Sequence, residues 1–289
     1  MGQGISITYD GRPVALKWHR LRRRMANPLF SADNLREGMR LGASMEIDLR
    51  VTRDFDFAVL HDETLDRETD GRGTIRDRTA AELAPLHYDD AGVPDTARYS
   101  RRLVLLNELE RWLEDGHPDA LLQFDMKDDL EAIGQEGVDR LVSRLAGKRL
   151  PLIISADCDR LILALSQALP EIRRGVDPTN RLIPFFRRGD TAGAVQQLRS
   201  ELTGLARPEM IYLSWPLLLK ADEAGVDLTA MCHDAGKTVD AWTFTLAEPN
   251  AGFSDEEWRS FERLLQFGVD QVTTDEAIAT EAAFLARTS

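Results

Sequence analysis

At 289 residues, with 43% hydrophobic and 29% charged residues, the chain can bury a large core, which excludes intrinsic disorder and suits a single α/β barrel domain over 1–289. Its 49 acidic against 36 basic residues give a formal net charge of -13, which argues against nucleic acid and anionic bilayers as partners. A small anion can still bind where local positive charge overrides that field. No apolar run reaches the length of a membrane span and no secretion signal opens the chain, so no stable membrane insertion and a cytoplasmic location are expected. Cys158 and Cys232 lie far apart, in no metal-ligand spacing, and read as reduced core thiols.

In chain order, Val14 to His19 is the first strong strand, with Val14, Leu16 and Trp18 on one face and Lys17 and His19 on the other. A loop rich in arginine (Arg20, Arg22, Arg23, Arg24) and Pro28 lead to a helix from Ser31 to Leu41, with Ser31 as its cap and Gly42 as its stop. Met45 to Val51 then alternates strictly, placing Met45, Ile47, Leu49 and Val51 on one strand face and Glu46, Asp48 and Arg50 on the other. Two carboxylates about 7 Å apart on one face need a partner, either arginines or a hard divalent cation. A solvated edge strand is the plain alternative for this stretch alone.

The polar turn Thr52-Arg53-Asp54 permits only an antiparallel return by Phe57 to His61, which brings His61 back beside the carboxylates. Residues 62–105 are irregular, with Gly71, Gly73, Pro85, Gly92 and Pro94 and one short helical stretch from Thr79 to Leu86; they read as an insertion forming a substrate lid or wall. After a helix from Leu106 to Leu113, Leu122 to Lys127 repeats the alternation and sets Asp125 and Lys127 on one polar face. Further strands are expected at Leu152 to Ser155, Arg174 to Asp177, Met210 to Ser214, Val239 to Phe244 and Gln271 to Thr274, with helices such as Arg160 to Leu169 and Asp255 to Phe267 between them. With the strand at Val14 these make eight parallel strands, the pattern of a TIM-type (β/α)8 barrel.

In such a barrel the working residues stand at the C-terminal ends of the strands. There the chain offers His19, Arg20, Glu46, Asp48, His61, Asp125, Lys127 and Trp242, while His87, His117 and His233 read as solvated. Histidines titrating near neutrality can protonate a leaving group and deprotonate a nucleophile, and Arg20 and Lys127 can hold an anion. Trp242 can stack on the organic part of a substrate or serve the core.

These residues carry a resemblance. His19-Arg20, Glu46-Ile47-Asp48 with Arg50 and Thr52, Val59 to Leu65 with Arg67, Thr69, Gly71 and Gly73, Asp125-Met126-Lys127, Gly236-Lys237 before Trp242-Thr243, and Gly268-Val269-Asp270 with Thr274-Asp275 together resemble the glycerophosphodiester phosphodiesterases. The resemblance implies a barrel enzyme in which Glu46, Asp48 and Asp125 hold Ca2+ or Mg2+ and His19 and His61 act as general acid and base on a small-molecule phosphodiester. It implies no oligomeric state. Three residues depart from the family pattern: Leu21 stands where glycine usually follows His-Arg, which implies another path for the phosphate loop; Pro28 to Ser31 loses the usual asparagine and glutamate; and Asp125 is shorter than the usual glutamate. The departures leave a sugar phosphodiester or a phospholipid-derived headgroup open as substrate, and equally a non-catalytic barrel that binds a phosphodiester. Paired carboxylates also occur in barrel glycosidases, but that chemistry leaves both histidines and Lys127 without roles.

Overall fold

Where alternating residues demand strands, strands form. The computed structural model describes residues 2–89, 100–113, 116–148 and 150–288. Among them are β1 (Ser6–Tyr9), β2 (Arg12–Trp18), β3 (Ser44–Val51), β4 (Phe57–Val59), β5 (Leu121–Met126), β6 (Leu152–Ala156), β7 (Arg173–Val176), β8 (Met210–Ser214), β9 (Thr238–Trp242) and β10 (Gln271–Thr274). All but β1 and β4 run parallel to a neighbour, and helices separate successive members along the chain. The fold is the expected TIM-type (β/α)8 barrel. Contacts divide the chain into two compact units, His19–Arg173 and Met1–Trp18 with Arg174–Ser289.

The unit His19–Arg173 carries strands in the order β6-β5-β3-β4. β3 and β5 are parallel with Asp48 opposite Asp125, and the short turn after β3 returns β4 antiparallel with Leu49 opposite Val59. β4 stops at Val59, two residues before His61, but the Leu60 amide still donates to the Asp48 carbonyl at 3.1 Å. Met45, Ile47 and Leu49 are wholly buried, and Glu46 and Asp48 on the other face are only 5% and 1% exposed. A strand buried on both faces is a barrel strand, and the solvated-edge reading fails.

The helix Ala32–Leu41 begins where Ser31 Oγ accepts the Asn34 amide and ends at Gly42, whose φ of 82° closes the last turn. Before it, Arg20, Leu21 and Phe30 hold left-handed backbones with φ of 49°, 61° and 51°. Each costs on the order of 1–3 kcal/mol for a residue with a side chain, so the surroundings must impose it. They do so through Arg20 N–H to Glu46 Oε2 (2.7 Å), Phe30 N–H to the Arg20 carbonyl (2.9 Å) and Asn34 Nδ2 to the Leu21 carbonyl (2.8 Å), with Leu21 itself buried. Leucine thus occupies a backbone conformation that glycine would adopt without strain.

Within 62–105, Leu65, Ile75, Leu83 and Tyr88 are buried, and Tyr88 Oη donates to the Val59 carbonyl and accepts the Val104 amide. Gly92 and Pro94 lie outside the described residues. The helix here is Ala80–Leu83, shorter than Thr79 to Leu86; Thr79 and Glu82 form a reciprocal cap, and Pro85, which has no N–H, cannot extend the helical hydrogen bonding.

In the other unit the strand order is β1-β2-β10-β9-β8-β7. The alternation had not shown β1, which pairs antiparallel with β2 through Asp10-Gly11, both left-handed at φ 48° and 73°. Val14, Leu16 and Trp18 form the buried apolar face of β2, while Lys17 pairs with the fully buried Asp240 at 2.9 Å. β9 ends at Trp242 rather than Phe244; the Phe244 amide still donates to the Thr273 carbonyl of β10 at 2.8 Å, and its ring packs against Trp215, Phe253 and Phe261. Cys232 is a core thiol, its pKa pushed up to about 12 by burial and the Asp227 and Asp270 charges; Cys158, in the other unit, is only half-buried before the helix Asp159–Ala168, so it is not a core residue.

Removing the amide that caps Leu21 should expose the strain beneath it. Asn34→Ala is expected to destabilise the protein by about 1–3 kcal/mol, the cost of an unmade buried hydrogen bond. A urea titration with an unchanged midpoint would show that Asn34 does not hold the loop.

Candidate active site

β3 and β5 place the acidic groups. Their register sets Asp48 beside Asp125, and neighbouring strands lie about 4.8 Å apart, so Asp125 reaches the pair without a longer side chain. Ligand oxygens of Glu46, Asp48 and Asp125 lie within 4.8 Å of one another. Asp125 Oδ1 accepts from Ser155 Oγ at 2.8 Å, and Ser155 in turn accepts from Gln123 Nε2 at 2.8 Å. Ser155 and Gln123 therefore aim the shorter carboxylate.

The cations lie on either side of Asp48. Lys127 Nζ meets Asp48 Oδ1 at 2.9 Å and also donates to Asp125 Oδ2, while Arg20 Nε faces Asp48 Oδ2 at 3.2 Å. Asp48 Oδ2 is buried and accepts no hydrogen bond, because the Arg20 contact lacks the alignment of one. Burial first, then the Glu46 charge, raises the Asp48 pKa; Lys127 and Arg20 pull it down, and the rise wins. Burial alone would lower the Lys127 pKa, but Asp125, Asp48 and Glu46 outweigh it and hold the ammonium above its ordinary value. Both cations are thus committed to carboxylates as well as available to an anion.

A fourth carboxylate, Glu68, had no sequence signal: it lies in an irregular stretch where no periodicity marks a face. It is buried, pairs with Arg20 Nη1 at 3.2 Å and accepts the His61 and Asp62 amides at 3.0 and 3.2 Å. Glu46, Asp48, Asp125 and Glu68 against Arg20 and Lys127 leave a formal excess of two negative charges. A divalent cation matches that excess, and hard carboxylate oxygens suit Ca2+ or Mg2+. The orphaned Asp48 oxygen gives it a natural ligand, so the residues fit such an ion.

His61 is 38% exposed, with Nδ1 bonded to Asp62 Oδ1 at 2.9 Å. Arg67 grips Asp62 with two bonds of 2.6 Å. Arg50 ties the backbone on both sides, donating to the His61 carbonyl at 3.0 Å and the Lys127 carbonyl at 2.9 Å. With Nδ1 held by a carboxylate, Nε2 is the ring atom left for proton transfer. His19 opens the turn His19–Leu21, next to Arg20. Trp242 ends β9 in the other unit, half-buried, with its indole Nε1 buried and without a hydrogen-bond partner among the described residues. His87, His117 and His233 each stand partly exposed beside an aspartate.

Residues 31–279 match the model of the glycerophosphoryl diester phosphodiesterase family. That span includes Glu46, Asp48, His61, Glu68, Asp125 and Lys127, while His19 and Arg20 precede it. A glycerophosphodiester phosphodiesterase of Caldanaerobacter subterraneus is 34% identical over 94 residues, 32% of this chain and 37% of that relative. One of Bacillus subtilis is 46% identical over 48 residues, 17% of this chain and 15% of that relative. The aligned stretches thus span well under two thirds of these curated relatives. The fold is shared with a phosphodiesterase of Oleispira antarctica solved with the product sn-glycerol-3-phosphate, at TM-score 0.63 and 19% identity over 93% of this chain and 96% of that one. It is shared also with a glycerophosphoryl diester phosphodiesterase of Parabacteroides distasonis, at TM-score 0.64 and 19% identity over 96% of this chain and 88% of that one.

The Arg67 grip sets a pH dependence. It lowers the Asp62 pKa far below the ordinary carboxylate range, with burial opposing and His61 assisting. A depressed carboxylate adds stability above its unfolded pKa of about 4 and loses it as pH falls below that value. Asp62→Asn should therefore cost about 0.5–1 kcal/mol at pH 7, discounted for partial exposure, and the gap to wild type should close as pH falls below about 4. A gap independent of pH would contradict this.

Proposed function

The chain belongs to the glycerophosphoryl diester phosphodiesterase family, and from that premise we propose that it hydrolyses a small glycerophosphodiester to an alcohol and glycerol phosphate, with His19 and His61 as general acid and base. The observation that carries the reading is Asp48, buried between Arg20 and Lys127 beside Glu46 and Asp125, with two negative charges in excess once Glu68 is counted. The product bound by the Oleispira antarctica enzyme supports the substrate class.

Arg20 holds the phosphate alike in the ground and transition states, and Lys127 binds it and meets the charge that grows on its equatorial oxygens. Their own carboxylate partners keep both side chains in place before substrate arrives. His61, with Nδ1 fixed on Asp62, presents Nε2 for a proton; His19 serves the opposite step, so that one imidazole deprotonates the nucleophile and the other protonates the leaving alkoxide. Glu46, Asp48 and Asp125 would hold a divalent ion, which supplies Lewis-acid charge stabilisation at the phosphoryl group when bound. In this reading the described residues 62–89 and 100–105 of the insertion form the substrate wall of a single 1–289 domain. The site of action in this reading is cytoplasmic; no helix among the described residues is long and apolar enough to cross a membrane.

The test is a screen of glycerophosphodiesters, sugar phosphodiesters and a chromogenic phosphodiester, each with Ca2+, Mg2+ and Mn2+, against wild type, His19→Ala and His61→Ala. Each substitution should lower turnover by about 10²–10⁴-fold, the range for a positioned acid or base. Full activity in either variant, or phosphodiester binding without product in wild type, would overturn the proposal.

A further inference from the structure

We propose that Glu68 is a positioning residue, whose buried carboxylate holds the Arg20 guanidinium for the substrate phosphate with one oxygen and fixes the His61 backbone with the other. The inference rests on the phosphodiesterase reading and extends it to a residue that reading does not use. Glu68 is 2% exposed, and a carboxylate removed from water must have its oxygens satisfied. The donors divide cleanly between the two oxygens. Oε2 accepts the amides of His61 (3.0 Å) and Asp62 (3.2 Å), whereas Oε1 meets Arg20 Nη1 at 3.2 Å and Arg67 Nη2 at 3.4 Å.

The division matters for each catalytic group. An arginine side chain has many rotamers to lose, and a rigid planar fork delivers bidentate recognition only if its plane is fixed beforehand. Asp48 at Nε and Glu68 at Nη1 fix that plane from two sides, leaving Nη2 as the edge to meet a phosphate oxygen. On the other oxygen, the two amides lock the backbone from which the His61 ring projects. One carboxylate thereby couples the phosphate ligand to the proton-transfer group, with Arg67 bridging from Glu68 to Asp62. A role confined to folding would make Glu68 indifferent to Arg20.

Glutamine separates the two functions, because its carbonyl can still accept the His61 and Asp62 amides while its NH2 turns toward Arg20. With a glycerophosphodiester as substrate, Glu68→Gln should raise KM about tenfold with kcat nearly unchanged, the pattern of lost uniform binding. In an Arg20→Ala background the same change should add nothing, since the group it positions is gone. Glu68→Ala, which also frees the two amides, should lower kcat as well. An equal effect of Glu68→Gln with and without Arg20, or none in either, would overturn the proposal, and equal kcat in the Gln and Ala variants would remove its His61 half. Thermal melting checks that each variant folds; if Glu68→Gln does not, Glu68→Asp, which keeps the charge and withdraws the oxygens by one methylene, carries the same cycle. Calorimetric titration with inorganic phosphate reads Arg20 without turnover. Wild type that binds phosphate but releases no alcohol sinks the hydrolase reading alone, whereas phosphate affinity unchanged by Glu68→Gln sinks the role of Glu68.

Discussion

The burial of Asp48 is the constraint from which the rest of the site follows. Its carboxylate is 1% exposed, shares a strand face with the buried Glu46 and stands in register with the half-buried Asp125, so three acidic groups converge with two of them cut off from water. Such convergence is strongly unfavourable unless charge is neutralised locally. Lys127 reaches over from β5, Arg20 is turned in by a left-handed loop, and two units of negative charge still remain once Glu68 is counted. The same imbalance that makes the cluster costly makes it a receptor for a divalent ion. In a chain at -13 overall, Arg20 and Lys127 are the local cations that a phosphate could meet beside this cluster.

Strain and the candidate site coincide at Arg20 and Leu21. Two successive residues with side chains in the left-handed region would relax if free, and it is Glu46 at the Arg20 amide and Asn34 at the Leu21 carbonyl that prevent it. The Arg20 amide is therefore bound by one candidate metal ligand while its guanidinium faces another, Asp48. Arg20 lies ahead of the residues matched by the family model, so its place beside Asp48 rests on these contacts.

Much of this was legible in the chain because period-two patterning survives in barrel strands. Met45 to Val51 and Leu122 to Lys127 announced their own faces, and β8, β10 and the helices Leu106–Leu113 and Asp255–Phe267 fall where the pattern placed them. The opening hairpin was missed although Asp10-Gly11 is a strong signal for a two-residue turn with both residues left-handed. Glu68, Ser155 and Gln123 were not legible for a different reason. Their work is done through contacts between residues 7 to 48 positions apart, on a loop or across strands, and local periodicity carries no information about such partners. Asp125 shows the complement: its shortness was plain in the sequence, whereas its sufficiency depends on register with Asp48 and on Ser155.

The most direct test of the account is the turnover of a glycerophosphodiester by chelator-treated protein as Ca2+, Mg2+ or Mn2+ is restored, run beside Asp48→Asn. The account predicts that turnover vanishes on chelation, returns saturably with at least one of these ions in wild type, and returns in Asp48→Asn only at far higher ion concentration or not at all. Full turnover by the chelated wild-type protein, or an ion dependence identical in Asp48→Asn, would contradict it.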